Sequence, residues 1–186
     1  MNIKWVLADN LVLDPTIDIA RMKQCGTFWG SWKTWRAYNT DNVVCHDKEK
    51  AKDLISRDFH KTCNFYIPNS VYQSLDKPSR VLLYEGDFMG HKVSNPDELV
   101  SMNLAASTAD VLLLAGFDWS EQEQDPDPDR ELCAKNYRGL VLQAIKSYPD
   151  VQWILVDHSK ELRPELLEFS NLDRDSYDAV FRILNS

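Results

Sequence analysis

Two uninterrupted apolar runs, DVLLLAGF at 110–117 and VQWILV at 151–156, constrain the fold of this chain most. A strand with one wet face alternates apolar and polar side chains. A run that is apolar at nearly every position fits a strand covered on both faces, as in a parallel sheet between layers of helix. Between the two runs, Leu132, Cys133, Tyr137, Leu140, Val141, Ala144 and Ile145 recur at helical spacing. Strand, helix and strand in that order imply a right-handed crossover between parallel neighbours.

The alternation continues along the chain. RVLLY at 80–84 reads as a strand. Asn95 can cap the helix that follows, Pro96 suits its first position, and Asp97 and Glu98 favour the positive end of its dipole. That helix buries Leu99, Val100, Met102, Ala105 and Ala106. After VQWILV, one helix is expected over 161–169. A last one, from an Asp173 cap, buries Tyr177, Val180, Phe181 and Leu184. In the first half, strands are expected at 4–8, 25–29, 42–45 and 63–67. Helices are expected from Asp14-Pro15, over 31–38, from an Asp47 cap (burying Ala51, Leu54, Ile55 and Phe59), and from Pro68 to Leu75. The expected fold is a single Rossmann-like α/β domain over 1–186, with a mainly parallel sheet of about five to six strands and helices on both faces. Residues 1–40 also admit a second reading, as an N-terminal hairpin or an aromatic-rich segment.

Charge narrows the partners. Lys and Arg number 21 against 29 Asp and Glu, a formal net charge of -8. With no long basic run, this acidic protein is not expected to bind nucleic acid. No stretch approaches the roughly 20 apolar residues of a membrane span. The opening MNIKWVLADN lacks the basic and apolar pattern of a signal peptide. Cys25, Cys45, Cys63 and Cys133 form no CxxC pair, and three of them fall within apolar patterns, as reduced thiols in a cytoplasmic protein do.

In open α/β sheets, ligands bind outside the carboxyl ends of the strands. The residues that follow each expected strand are therefore the first candidates: Glu85, Gly86 and Asp87; Asp118 and Trp119; Asp157, His158 and Ser159; His46 and Asp47. Gathered carboxylates can hold Mg²⁺, split into a general acid and a general base, or accept hydrogen bonds from a ribose. On this reading Glu85 and Asp87 are metal-ligand candidates, and Asp118, Asp157 and His158 are acid–base candidates, His158 titrating near neutrality. Helix capping is an equally simple use for such residues, and it accounts for Asp47 and Ser159.

The segment CGTFWGSWKTW at 25–35 offers Gly26, Gly30, Ser31 and Lys33 at a strand-to-helix junction, a setting that suits phosphate. It matches neither G-x-x-x-x-G-K-[ST] nor G-x-G-x-x-G. Trp29, Trp32 and Trp35 recur every three residues and are expected near one helix face, as a core stripe or a stacking platform, with Trp119 a further ring beside the site. The acidic stretch SEQEQDPDPD at 120–129 is expected to be a loop at a strand's carboxyl end, as a lid or a plain connection.

GSWKTWRAYNTDNVVCHDKEKAKDLISRDF, NLAASTADVLLLAGFDW, YRGLVLQAI and QWILVDH resemble stretches of uncharacterised tailed-bacteriophage proteins. The resemblance implies a viral origin and the host cytoplasm, and no activity. The layout helix–ADVLLLAG–helix is similar in outline to nucleoside deoxyribosyltransferase-like and TIR-like folds, without their glutamate motif in place. The expected function is binding of, or action on, a nucleotide, nucleoside or nucleotide-sugar in an acidic crevice at the strand ends. The alternative is a non-catalytic phage protein that binds a protein partner or assembles with itself as a homo-oligomer.

Overall fold

The computed structural model describes residues 1–9, 18–85, 96–117, 128–156 and 168–184, with backbone only for 128–135. These residues form eight strands and seven α-helices, alternating as far as β7: β1 (Ile3–Leu7), α1 (Ile19–Cys25), β2 (Thr27–Ser31), α2 (Trp32–Tyr38), β3 (Asn42–Val44), α3 (Lys48–Ser56), β4 (Asn64–Pro68), α4 (Asn69–Gln73), β5 (Val81–Tyr84), α5 (Pro96–Ala106), β6 (Val111–Ala115), α6 (Pro128–Ser147), β7 (Gln152–Val156), β8 (Leu172–Asp175) and α7 (Tyr177–Leu184). The helix starts carry the expected chemistry. Side chains of Asp18, Ser31 and Asp47 accept from the amides of Arg21, Lys33 and Lys50 at 3.0, 3.0 and 2.7 Å.

All eight strands are parallel and lie in the order β5-β4-β3-β2-β1-β6-β7-β8. The chain winds outward from β1 to β5. It then returns through α5 to place β6 on the other side of β1, and continues outward to β8. The order therefore reverses between β1 and β6, which makes that pair the topological switch point of a doubly wound sheet.

Successive side chains of each strand enter opposite layers. Trp5, Leu7 and Phe28 pack with Met22 of α1 and Val180 and Phe181 of α7. On the same face Val43, Cys45 and Phe65 pack with Ala51 and Leu54 of α3 and Val71 of α4. The other face belongs to α5 and α6: Val6, Trp29, Leu112 and Leu155 pack with Leu99, Met102, Val141 and Ile145. Burying each such side chain contributes about 1.5–3 kcal/mol, so both layers are needed to hold the central strands.

Lys4 fixes the direction of α5. Its buried amine donates to the Ala105 carbonyl at 3.0 Å and to Thr108 Oγ1, and lies 5.2 Å from the Trp29 ring. Burial holds the Lys4 pKa below its ordinary value. A cation at a helix carboxyl end complements the dipole. It anchors that end of α5 at the amino edge of the sheet and leaves the amino end of α5 at the carboxyl edge.

Several expectations are corrected. The sheet has eight strands, not five to six. Residues 3–7 and 27–31 are parallel neighbours joined through α1, not a hairpin. Asp173 lies in β8 rather than capping a helix, and α7 begins at Tyr177. The three tryptophans do not share a helix face. Trp29 is in β2 and packs toward α5, while Trp32 and Trp35 are in α2 and pack with the layer on the opposite face. The expected helix start at Asp14-Pro15, the Asn95 cap, residues 120–127 of the expected 120–129 loop and most of the expected 161–169 helix lie outside the described residues, and the last two residues of that loop, Pro128 and Asp129, open α6.

Candidate functional site at the sheet switch point

β1 ends at Leu7 and is followed by Ala8 and Asp9, directly at the switch point. The Asp9 carboxylate is held from the neighbouring strand's side. Ser31 Oγ, at the end of β2, donates to Asp9 Oδ1, and Lys33 Nζ lies 3.0 Å from Asp9 Oδ2. The Ser31 hydroxyl also accepts from the Lys33 amide, so one side chain caps α2 and orients Asp9. Lys33 is 55% exposed against 9% for the Asp9 side chain, so the amine covers an otherwise enclosed carboxylate. The hydrogen bond to Asp9 holds the Lys33 pKa above its ordinary value, with the charges of Glu98 and Asp97 adding to the effect.

From the opposite side comes α5. The Asp9 amide donates to Glu98 Oε1 at 2.5 Å, and the Tyr137 hydroxyl of α6 donates to Glu98 Oε2 at 2.7 Å. Glu98 is 2% exposed. A buried carboxylate is costly unless its oxygens are hydrogen-bonded, and here both oxygens are. Burial, reinforced by the Glu98 charge, pushes the Tyr137 phenol well above its ordinary pKa, so it stays a neutral donor. Asp97 ties the same helix end to β3. Its Oδ1 accepts from the His46 amide at 2.9 Å and lies 2.7 Å from His46 Nδ1. That bond raises the His46 pKa.

The result is a line of polar groups, Lys33, Asp9, Glu98 and Tyr137, that runs from α2 across β1 to α5 and α6. The carboxylates of Asp9, Asp97 and Glu98 gather here with the Lys33 amine and the His46 imidazole. Such a group can accept hydrogen bonds from hydroxyls, and its half-exposed Lys33 amine can meet an anion. At the end of β6, one residue beyond the Leu7–Ala115 pair, Gly116 has φ 79°, a left-handed conformation that favours glycine.

Ser31 and Lys33 thus sit in this group. Gly26 does not join them: it lies at the amino end of β2, where an added Cβ would come 2.5 Å from the Ile3 carbonyl oxygen. Gly30 is inside β2, and its missing side chain makes room for Thr34 Oγ1 and, at 3.2 Å, the Leu7 carbonyl. What both glycines admit is neighbouring protein. Glu85 follows β5, the edge strand four places from β1, where it is exposed and accepts from Asn69 Nδ2 at 3.1 Å. Asp87, Asp118, Trp119, Asp157 and His158 lie outside the described residues. Among the described residues, no group of three or more His, Cys, Asp or Glu side chains is placed to hold a metal ion. Asp9 was not among the sequence candidates, and Glu98 was read only as a helix-dipole acid. The signal for Asp9 was the strand-to-acid step in WVLAD, the same pattern that marked the later strands.

No protein-family model, curated protein or solved structure matches the chain.

Proposed function

We propose that the protein binds a small hydroxyl-rich ligand of the nucleoside, nucleotide or nucleotide-sugar class in the crevice outside the carboxyl ends of β1, β2 and β6. The observation that carries this reading is the pair Asp9 and Glu98, two carboxylates brought to the switch point from a strand end and a helix start. Each is held by hydrogen-bond donors from neighbouring elements. Carboxylates at this point of a doubly wound sheet are suited to accept from ribose or sugar hydroxyls. Three carboxylates against one lysine amine favour sugar hydroxyls as the main contact, with any phosphate directed to the half-exposed Lys33 amine.

A thermal-shift screen of nucleosides, nucleotides and nucleotide-sugars, with and without Mg²⁺, tests this. A ligand at 100 times its Kd stabilises the folded state by about 2.7 kcal/mol, which raises Tm by roughly 5–10 °C for a chain of this size. The shift should shrink in Asp9→Asn. No shift with any of these compounds would overturn the reading.

A second reading, binding of a protein partner or self-assembly, is favoured by β5. This edge strand exposes Leu82 and Leu83, at 41% and 47%. Unpaired strand edges with apolar side chains invite pairing with another chain. Light scattering of wild type and Leu83→Lys separates the two: a dimer lost on substitution supports assembly, and a monomer in both removes self-assembly.

A further inference from the structure

On the face opposite Glu98, α2 and α3 leave an open groove of about 370 Å³. Its apolar wall is aromatic: Trp32, Trp35 and the buried Phe59, with the Trp35 and Phe59 rings edge-to-face at 4.4 Å. Its polar rim is cationic. Arg36, Lys50 and Arg57 all line it, against the single carboxylate of Asp53. That carboxylate is shared, with Oδ2 3.3 Å from Lys50 Nζ and Oδ1 2.8 Å from Arg57. Lys50 also lies 4.1 Å from the Trp32 ring centroid. Arg36 forms no ion pair among the described residues. A local excess of positive charge on a chain of net charge -8 runs against the composition of the whole.

We propose that this groove is a second ligand site, separate from the switch-point crevice, for a small planar anion: an aromatic ring that carries a phosphate or a carboxylate. The volume falls in the range of about 300–1,000 Å³ typical of small-ligand sites. Indole faces stack on planar rings, and guanidinium groups match phosphate and carboxylate oxygens with paired donors. A neutral ring gains only the stacking, and an inorganic anion only the charge. The groove therefore discriminates for a ligand with both.

Calorimetric titration with phenyl phosphate, indole-3-carboxylate, indole and inorganic phosphate, none of them of the nucleoside class, tests the site. Phenyl phosphate or indole-3-carboxylate should bind, and whichever does names the anion. Indole and inorganic phosphate should each bind at least about tenfold more weakly, the loss expected for one charged hydrogen bond. Arg36→Gln and Arg57→Gln, both surface substitutions checked for folding by circular dichroism, should each weaken binding by a similar factor. Failure of both aromatic anions to bind at millimolar concentration would overturn the site. So would indole binding as tightly as indole-3-carboxylate, or binding that survives both arginine substitutions.

Discussion

Glu98 is the residue on which the switch-point geometry rests most heavily. It satisfies a backbone amide and a phenol at once, both in part-buried settings, so its loss costs more than one hydrogen bond. Glu98→Ala leaves the Asp9 amide and the Tyr137 hydroxyl unpaired and should destabilise by about 2–4 kcal/mol. Tyr137→Phe removes one donor and leaves a carboxylate that keeps its other partner, for a cost of about 1–2 kcal/mol. Urea unfolding of both variants checks the order, and Tyr137→Phe proving the more damaging would contradict it. His46 gives a pH signature. Its pKa is raised in the fold by Asp97, so its contribution is fully present below the ordinary value of 6.5 and fades as pH rises through the raised value. His46 is 48% exposed, so solvent screening limits the effect to about 1 kcal/mol or less. Wild type should lose a small increment of stability from pH 6 to pH 8 that His46→Gln does not show.

At the scale of elements, glycines separate packing from propensity. Gly26 faces the Ile3 backbone, which cannot move aside as a side chain can, so Gly26→Ala should cost about 1–3 kcal/mol. Gly139 lies in α6 with nothing within 4 Å of an added Cβ, so Gly139→Ala should stabilise by up to about 1 kcal/mol through helix propensity. Opposite signs in urea unfolding are the expected outcome. The same contrast explains what the sequence made legible. β6 and β7 were readable because central parallel strands are apolar throughout, and α3 because Asp47 is its cap. β8 was not, because an edge strand need bury only part of itself: of Leu172–Asp175, Leu172 is buried and Asp173 exposed. The tryptophan spacing misled because a three-residue period ran across the junction of β2 and α2, where the backbone changes direction.

Over the whole molecule, the alternation of strands and helices was visible in the sequence, but the strand order was not. Local patterning says that a strand is parallel and buried; it does not say which strand lies beside it. Only the observed order puts β1 at the switch point, and with it Asp9, and leaves Glu85 at the far edge. Glu98 was hidden for the same reason, since its partners Asp9 and Tyr137 lie 89 and 39 residues away. The most direct test of the switch-point crevice is a map of amide chemical shifts as the best ligand of the nucleoside class is titrated in. The largest shifts are expected at Asp9, Ser31, Lys33 and Gly116, with Asp9→Asn weakening the titration at least about tenfold. Shifts confined to the amino edge of the sheet, or a titration unchanged in Asp9→Asn, would contradict a ligand site at the switch point.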